Sequence, residues 1–204
     1  MMKDKILIIA NGPSILENLF GEEIDKFDEI GRINNYKINN FKQYVGQKTT
    51  IWFNGGNQNL VVPKKISKKI VVLIPYEIIN NNIEKIIKRT SNRLGLNTNQ
   101  YELISAEKMK YYEKISKIKR PTTGFNSILW AVENYKKVII HGFDFFQKSK
   151  EHYYDSYILK KISNLKIMQK AKKHDNLSEK LFVEKLLLDK KVIKLTDYIK
   201  NNKI

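Results

Sequence analysis

The stretch that decides the fold runs from Arg120 to Gln147 and has the sequence RPTTGFNSILWAVENYKKVIIHGFDFFQ. Its apolar residues first recur at helical spacing. Two lysines, Lys136 and Lys137, then precede the β-branched run Val138–Ile140, which ends at His-Gly. The pattern predicts a loop, an amphipathic helix, a break at the two lysines, a buried parallel strand and a second loop.

The loops at the two ends of this unit are candidate parts of one ligand site. Thr122 and Thr123 can cap the free N–H groups at the start of the helix. Ligands of open α/β sheets bind beyond the carboxyl ends of strands and at helix N-termini. We therefore expect Thr122–Gly124 and Gly142–Asp144 to be neighbours. An ordinary αβ unit with turn residues at each end would give the same pattern.

Earlier in the chain, three buried apolar runs are predicted as strands, and an asparagine follows each of them: Lys5–Ala10 with Asn11, Phe27–Ile33 with Asn34, and Thr49–Phe53 with Asn54. A single asparagine at a strand end usually forms a turn. Three in succession at one edge of a parallel sheet would form a neutral hydrogen-bonding rim. Such a rim suits a ligand rich in hydroxyl and amide groups, such as a sugar nucleotide.

The first of these strand ends continues as Asn11-Gly12-Pro13-Ser14. A strand, a glycine-containing turn and a helix from Ser14 are typical of the start of a nucleotide-binding αβ unit. The side chains of Asn11 and Ser14 would meet ribose or phosphate there. The Gly-x-Gly-x-x-Gly fingerprint of dinucleotide-binding proteins is absent, and a turn with a serine cap is the simpler alternative.

The remaining pattern predicts one α/β domain over residues 1–204, with a mostly parallel sheet flanked by helices. A polar, tyrosine-rich insert of about residues 145–175 follows the second ligand loop, and such inserts often act as lids. The other predicted elements are the strands Ile70–Ile74, Tyr101–Ser105 and Val192–Leu195, the helices Ile83–Lys88, Ala106–Lys117 and Leu177–Leu188, and a terminal helix capped by Thr196-Asp197.

The composition limits the compartment and the partners. The chain has no cysteine, so it has neither disulfides nor thiolate metal sites. No signal-peptide pattern and no apolar run of membrane-spanning length is present. We therefore expect a cytoplasmic protein, with peripheral contact at the inner face of the membrane left open because the net charge is +17. Homo-oligomer formation also stays open.

The basic charge allows an alternative of another class, a non-enzymatic protein that binds nucleic acid or membrane. Of the 38 cationic residues, however, only four are arginines: Arg32, Arg89, Arg93 and Arg120. Readers of nucleic acid favour arginine, whose planar fork matches phosphates and guanine edges. The composition therefore favours a protein without a nucleic-acid partner.

Histidines are the candidate acid–base groups. His174 precedes a predicted helix, and Glu179 lies where a carboxylate could orient its ring, which would leave one nitrogen as a general base. A surface or capping role would fit the same spacing. His152 lies in the predicted lid beside Tyr153 and Tyr154, whereas His141 follows a strand and is most simply a packed structural residue. No His/Cys cluster or Asp-x-Asp motif indicates a metal, so a departing phosphate would need tyrosine, histidine or lysine donors.

The motifs in this order resemble those of CMP-sialic-acid-dependent sialyltransferases, especially the small bacterial family. The resemblance covers nearly the whole chain. Pro121–Gly124 and His174…Glu179 are also similar to the Pro-Ser-Thr-Gly and His-x-x-x-x-Glu motifs of animal sialyltransferases. The resembling blocks are Asn11–Ser14, Asp28…Arg32–Asn34, Phe53–Asn54, Arg120–Gly124, Gly142–Gln147 and His174 before a Glu-Lys-Leu helix.

The resemblance implies a single Rossmann-like, GT-A-variant-like domain. It also implies metal-independent, inverting transfer of sialic acid from CMP-sialic acid to a glycan hydroxyl of galactoside type. It implies no cofactor beyond that donor substrate, and a bacterial role in lipooligosaccharide or capsule biosynthesis. A CMP-Kdo-dependent transferase and a relative of the pterin pyrophosphokinases, which share Asn-Gly-Pro-Ser, are the alternatives.

The resemblance also implies roles for individual residues. Asn11 and Ser14 would hold the nucleotide phosphate and ribose, and Gly142 and Asp144 the cytidine. Asn34 and Asn54 would reach the donor sugar, and Thr123 its carboxylate. His174 would be the general base, with Arg120 near donor and acceptor. The remaining residues of the predicted substrate site are Gly12, Gly124 and Phe143.

The predicted lid departs from the bacterial pattern. Two lid tyrosines of the bacterial enzymes bind the leaving phosphate, but the corresponding positions here hold Phe146 and either His152 or Tyr153. Loss of one such donor costs on the order of 100-fold or more in rate. Tyr153, Tyr154 and His152 are the candidates to compensate.

Overall fold

The computed structural model describes residues 2–64, 68–145, 152–154 and 175–202. Most of the predicted lid, including Phe146, lies outside these residues. So does His174, the predicted general base.

The described strands form one parallel sheet in the order β5-β4-β3-β2-β1-β6-β7. Every neighbouring pair is parallel, so the sheet is parallel throughout rather than mostly. The predicted α/β class is confirmed. The strands are β1 (Lys3–Ile9), β2 (Ile30–Ile33), β3 (Ile51–Asn54), β4 (Lys69–Val72), β5 (Glu102–Leu103), β6 (Tyr135–His141) and β7 (Val192–Lys194).

Helices cover both faces of the sheet. They are α1 (Gly21–Asp25), α2 (Lys42–Val45), α3 (Tyr76–Ile79), α4 (Ile83–Leu94), α5 (Ala106–Ser116), α6 (Thr123–Asn134), α7 (Asn176–Leu188) and α8 (Leu195–Asn201). Short 3-10 helices span Pro13–Glu17 and Thr98–Gln100.

The central strand β1 shows why the sheet is buried on both sides. Ile6 and Ile8 pack into one core with residues of α5, α6 and α7. Leu7 and Ile9 pack into a second core with residues of α1, α2 and α8. Because successive side chains of a strand point to opposite faces, a continuous apolar run is what a strand covered on both faces requires.

The deciding stretch folds as predicted except at its two lysines. The Thr122 hydroxyl accepts the Phe125 N–H at 3.1 Å and caps α6. No break follows α6, because Lys136 and Lys137 already belong to β6. Both lysines are solvent-exposed, and Lys137 lies beside Lys5 of β1, so the exposed start of the strand tolerates charge.

Several predicted bounds were wrong. The segment after Gly12 is a 3-10 helix rather than an α-helix from Ser14. Helix α4 continues to Leu94 and ends at Gly95, which has the left-handed conformation favoured at helix C-termini. Helix α8 begins at Leu195 without a side-chain cap, so Thr196-Asp197 does not cap it. Strand β2 is shorter than the run Phe27–Ile33.

The strand order places a topological switch point between β1 and β6. The chain moves from β1 outwards to β5 and then returns to the other side of β1 with β6. In open α/β sheets, ligands bind outside the carboxyl ends of the strands at such a point. The loops after Ile9 and His141, which are paired at the ends of these two strands, are therefore the first place to examine.

Candidate active site

The two loops at the switch point are joined through a carboxylate. The Gly12 N–H donates to the Gly142 carbonyl at 2.9 Å. The Asp144 carboxylate accepts the backbone N–H of Ser14 at 2.9 Å and, through its other oxygen, the Ser14 hydroxyl. We call the contact between Ser14 and Asp144 the β1–β6 clasp. It holds the predicted phosphate loop and the predicted cytidine loop against each other.

Glycines at two positions allow this close approach. A Cβ on Gly12 would lie 2.5 Å from the Asp144 carboxylate and 2.7 Å from the Gly142 carbonyl oxygen. Gly142 has a φ of +71°, in the left-handed region that side chains disfavour. A Cβ there would also lie 3.1 Å from the Ala10 carbonyl oxygen. Neither loop could adopt this arrangement with a larger residue.

Asn11 connects the β1 loop to the end of β2. Its side-chain amide donates to the carbonyls of Ile33 at 3.0 Å and Asn35 at 2.9 Å. Its own carbonyl accepts the Tyr153 N–H at 3.0 Å. The described part of the predicted lid is therefore attached directly to the strand ends. Asn11 connects the loop after β1 with the loop after β2 and with this part of the lid.

The residues of this attached segment differ in what their rings contact. The Tyr153 hydroxyl donates to the Lys37 carbonyl and accepts the Lys37 N–H, and burial raises the pKa of this phenol. The Tyr154 hydroxyl donates to the Asn35 carbonyl at 2.8 Å. The His152 ring stacks on Tyr154 with centroids 5.3 Å apart, and the Lys37 ammonium lies 5.4 Å from the centre of the same ring. A histidine, a tyrosine and a lysine thus form one polar aromatic group beside Asn11.

Two asparagines of the predicted rim, Asn34 and Asn54, lie at the ends of β2 and β3. Asn34 has a φ of +48°, which asparagine tolerates better than most residues, and its side-chain oxygen accepts the Gly55 N–H at 3.1 Å. Asn54 is fully buried, and its side-chain oxygen accepts the Gly56 N–H at 3.0 Å. The Asn54 amide nitrogen has no hydrogen-bond partner among the described residues, which is unusual for a buried donor.

The N-terminus of α6 lies against both sides of this rim. The Thr123 hydroxyl lies 2.8 Å from where a Cβ on Gly55 would be, after β3. A Cβ on Gly124 would lie 3.5 Å from the Phe143 ring and 3.6 Å from Ile33. The prediction that Thr122–Gly124 and Gly142–Asp144 are neighbours is confirmed by the contact of Gly124 with Phe143.

A second carboxylate holds the start of α6. Glu179, in the first turn of α7, accepts the Thr122 N–H at 2.6 Å with one oxygen and the Thr122 hydroxyl at 2.7 Å with the other. Glu179 is only 1% exposed. Burial raises its pKa to about 7, although the two hydrogen bonds from Thr122 favour the ionised form. We call this contact the α6–α7 clasp.

Arg120 lies just before α6 and has a φ of +56°. Its guanidinium is 2.8 Å from a carboxylate oxygen of Glu77 in α3, which follows β4. Its backbone N–H donates to Glu113 of α5 at 3.3 Å. Arg120 therefore lies at the edge of the sheet where the strands end, in contact with acidic residues.

His141, at the end of β6, is a packed residue as the sequence predicted. It is buried, its ring lies 5.8 Å from that of Phe20, and one ring nitrogen has no hydrogen-bond partner among the described residues. Burial lowers its pKa to about 4, so the imidazole is neutral at neutral pH.

Comparison with known proteins decides the family. The model of glycosyltransferase family 29 (sialyltransferase) matches residues 5–191, which is most of the chain. The chain belongs to this family. The resemblance to sialyltransferases that the ordered motifs indicated is thereby confirmed, while the small bacterial subfamily and a bacterial pathway stay predictions.

Curated relatives agree with this assignment. The type 2 lactosamine alpha-2,3-sialyltransferases of Homo sapiens and Pan troglodytes are each 27% identical to this chain, over alignments that cover 94% of it. The chain spans 64% of the length of each of these relatives. The sialyltransferase-like protein 2 of Arabidopsis thaliana is 34% identical over 40% of this chain and 19% of its own length.

Solved structures of sialyltransferases have the same fold. A mammalian sialyltransferase in complex with Gal-beta-1-3GalNAc-ortho-nitrophenol has a TM-score of 0.66 at 18% identity, over 95% of this chain and 69% of that one. The sialyltransferase CstII from Campylobacter jejuni, in complex with the substrate analogue cytidine-5'-monophosphate, has a TM-score of 0.51 at 20% identity, over 85% and 79%.

For this member of family 29, the structure brings most of the predicted site residues to one edge of the sheet. Their contacts with one another connect the ends of β1, β2, β3 and β6 with the start of α6, and their roles toward a ligand stay predictions. The connected residues are Asn11, Gly12, Ser14, Asn34, Thr123, Gly124, Gly142, Phe143, Asp144, Tyr153 and Tyr154, with His152 stacked on Tyr154 and Asn54 immediately before Gly55, which Asn34 contacts.

The structure also shows contacts that sequence reasoning missed. Glu179 accepts two hydrogen bonds from Thr122, a contact that the sequence did not predict. Its predicted role in orienting His174 stays a prediction, because His174 lies outside the described residues. Asp144 was expected to face the ligand, and it also closes the β1–β6 clasp with Ser14. Each of these acids pairs with a Ser or Thr at a helix start. The two partners of each pair lie far apart in the sequence, so the sequence alone did not reveal which residues pair.

A membrane-spanning helix and a cluster of metal ligands are both absent from the part of the chain that the structure describes. No described helix has both the length and the apolar character that crossing a bilayer requires. Within the same ranges, no three His, Cys, Asp or Glu side chains lie close enough together to hold a metal ion.

Proposed function

We propose that this protein transfers sialic acid from CMP-sialic acid to a glycan hydroxyl, with inversion, without a metal ion and with an acceptor of galactoside type. The observation that carries the proposal is the pair of loops clasped at the switch point, between Gly12–Ser14 and Gly142–Asp144, in a chain of the sialyltransferase family. Because the chain spans 64% of the length of its curated relatives, the activity, substrates and partners of the whole protein are part of the proposal.

In this proposal the cytidine and its ribose lie against the loop Gly142–Asp144, and the phosphate lies against Gly12–Ser14. Two short loops at the carboxyl ends of adjacent parallel strands are the usual place for a nucleotide in an α/β sheet. Asp144 already accepts hydrogen bonds from Ser14, and its remaining lone pairs are free to accept ribose hydroxyls.

The donor sugar then lies toward the asparagine rim and the start of α6. The Asn54 amide nitrogen has no partner among the described residues, and a donor sugar that displaced the atoms now enclosing this side chain would satisfy it. Thr123 sits in the first turn of α6, where the hydroxyl and the helix N-terminus suit a carboxylate. Both features match the predicted binding of a keto-acid sugar.

For the departing phosphate, the proposal assigns the stabilising contact to His152 and Tyr154 before Tyr153. The Tyr153 hydroxyl would first have to release two bonds to the Lys37 backbone, whereas the Tyr154 hydroxyl would have to release one bond, to the Asn35 carbonyl. His152 and Tyr154 form a stacked group beside Asn11, with the Lys37 ammonium next to the same ring. Hydrogen bonds and a nearby cation would then stabilise the charge that develops as CMP leaves.

The proposed general base is His174, which lies immediately before Asp175, the capping residue of α7. The described start of α7 contacts the start of α6 through Glu179 and Thr122, which supports a location of His174 beside the donor site. The base would take the proton of the acceptor hydroxyl as that oxygen attacks the sugar from the face opposite the phosphate. The attacking oxygen gains the new bond, and CMP leaves with the bonding electrons.

The experiment is a binding and transfer assay of the purified full chain with CMP, CMP-sialic acid and a galactoside, with and without a metal chelator. We expect calorimetry to detect CMP, and transfer to persist with the chelator. His174→Ala should abolish transfer and keep CMP binding. Binding of ATP or a pterin without CMP would instead favour the kinase-like alternative. Tight, salt-dependent binding to nucleic acid without any response to CMP would favour the non-enzymatic alternative.

A further inference from the structure

We propose that Glu179 is a positioning residue, which sets the location of the start of α6, and with it Thr123 and Gly124, relative to the start of α7. The inference rests on the proposed function, because it concerns the alignment of the donor site with the acceptor side of that same reaction. The partner through which Glu179 acts is Thr122.

The geometry restricts the α6–α7 clasp to one arrangement. The Thr122 hydroxyl already accepts the Phe125 N–H as the cap of α6, so its own proton is free to be donated. The nearest acceptor is the Glu179 carboxylate at 2.7 Å, which also receives the Thr122 N–H at 2.6 Å. Two bonds between one carboxylate and one residue fix both the distance and the angle between the two helix ends.

The α6–α7 clasp joins two helices at a cost in free energy, because it buries a carboxylate. A carboxylate with 1% exposure loses its hydration, and among the described residues no cation forms an ion pair with Glu179. A well-packed apolar pair at such a junction is often as stable as buried charges or more so. Hydrogen bonds are directional, however, so they fix the relative orientation of two helix ends more tightly than apolar contacts do. The arrangement is therefore better explained by alignment than by stability.

The position of the clasp explains what would be aligned. Thr122 directly precedes Thr123 and Gly124, which contact the loops after β3 and β6. Glu179 lies one turn beyond Asp175, the residue after the proposed base. Thr123 and Gly124 thus follow Thr122 by one and two residues, and the proposed base precedes Glu179 by five. A shift in the clasp would therefore misalign donor and acceptor without removing a group that touches either.

The test uses a graded series at the two partners. Glu179→Gln keeps the shape and can still accept the Thr122 N–H and donate to its hydroxyl oxygen. Glu179→Leu keeps the volume and removes both bonds, Thr122→Ser keeps the hydroxyl, and Thr122→Val removes it. The matched control is Glu184→Gln, an exposed glutamate of the same helix that pairs with Lys180.

We expect Glu179→Leu and Thr122→Val to lower kcat by about 100-fold, the loss typical of a misplacement of 1 Å. CMP affinity should change less than about threefold, because the nucleotide loops belong to the other clasp. Glu179→Gln and Thr122→Ser should recover most of kcat, and the double variant Thr122→Val/Glu179→Leu should be no worse than either single variant. The control should match the wild type.

A second measurement does not depend on activity. Hydrogen exchange at the Phe125 and Asn126 amides reports the first turn of α6, and Glu179→Leu should accelerate it while exchange in β1 stays unchanged. If the wild type neither binds CMP nor transfers sialic acid, the proposed function fails, and the exchange result still decides the role of the clasp. A normal kcat in Glu179→Leu, or exchange equal to that of the wild type, would overturn the inference.

Discussion

The two clasps on either side of the site use the same hydrogen bonds in different surroundings. At the β1–β6 clasp, Asp144 accepts the N–H and the hydroxyl of Ser14. At the α6–α7 clasp, Glu179 accepts the N–H and the hydroxyl of Thr122. In both, one carboxylate fixes a residue at the start of a helical segment, and the two partners are far apart in the chain.

The difference between the clasps is burial. Asp144 and Ser14 are half-buried at the ends of β6 and β1, so part of each is open to solvent, whereas Glu179 is enclosed. The open clasp can therefore take part in ligand binding as well as hold the loops, and the closed clasp can only hold the helices. Enclosure also raises the pKa of Glu179 to about 7, so the closed clasp is sensitive to pH. We therefore propose that the same contact serves recognition at one place and alignment at the other.

The largest expected effect tests the open clasp through Gly12→Ala. The added Cβ would lie 2.5 Å from the Asp144 carboxylate, so the two loops must move apart. We expect CMP binding to be lost within the range of calorimetry and the transfer rate to fall by about 100-fold or more. The backbone of Gly12, with φ −69° and ψ 147°, suits alanine, so space alone is tested.

Gly95→Ala is the control for this substitution. Gly95 has a φ of +63° at the end of α4, and nothing lies within 4 Å of the Cβ that would be added. It should cost about 1 kcal/mol of stability from backbone strain and leave CMP affinity unchanged. Normal CMP affinity in Gly12→Ala would show that the clasp does not shape the nucleotide site.

The pH dependence of stability tests the closed clasp. The folded protein holds the Glu179 proton up to about pH 7, whereas the unfolded chain releases it near 4.5. The stabilising contribution of the protonated group is therefore complete below pH 4.5 and is lost as the pH rises through 7. The loss is on the order of 3 kcal/mol.

Urea unfolding of the wild type and Glu179→Gln between pH 4.5 and 8 measures this loss as a difference between the two proteins. His141 acts in the opposite direction, because its pKa is lowered to about 4 and its contribution is lost as the pH falls below 6.5. That slope is common to both proteins and cancels in the difference. A difference that stays constant across the range would contradict the assigned ionisation of Glu179.

Much of this fold was predictable from local pattern. The β-branched runs predicted the strands, and Thr122 was recognised as the cap of α6. The neighbourhood of Gly124 and Phe143 followed from the rule that parallel strands end at one edge of a sheet. These features depend on residues close together in the chain or on a general property of the sheet, and a single sequence contains both.

The features that were missed depend on distant partners. Ser14 and Asp144 are 130 positions apart, and Thr122 and Glu179 are 57 apart, so no local pattern pairs them. Lys136 and Lys137 broke the apolar pattern and were wrongly taken as a break, because only the sheet shows that β6 begins in solvent. The location of His174 relative to the cleft stays a prediction, since it lies outside the described residues.

Removal of one hydroxyl from each clasp compares them directly. Thr122→Val leaves a buried carboxylate without one of its two donors, and it also removes the hydroxyl that caps α6. A hydrogen bond to a charged group contributes about 2 kcal/mol and a helix cap about 1 kcal/mol, so the expected loss is about 3 kcal/mol. In Ser14→Ala, water replaces the lost hydroxyl donor, because the Asp144 carboxylate is only half-buried. We therefore expect the free energy of unfolding to fall by about 1 kcal/mol. Urea unfolding at pH 8, where Glu179 is ionised, measures both. Equal losses would mean that burial does not distinguish the clasps.

The smallest effect is expected at the third carboxylate near the site, that of Glu77, which contacts the Arg120 guanidinium at 2.8 Å. Both side chains are about one-third exposed, with values of 32% for Arg120 and 38% for Glu77, so water and salt screen the pair. Glu77→Gln should therefore change the free energy of unfolding by less than about 1 kcal/mol. If Arg120 serves only this pair, Arg120→Gln should be equally mild in transfer assays. If it acts on donor or acceptor, as the resemblance implies, Arg120→Gln alone should lower kcat/KM, and the comparison of the two variants separates a screened surface pair from a residue that touches substrate.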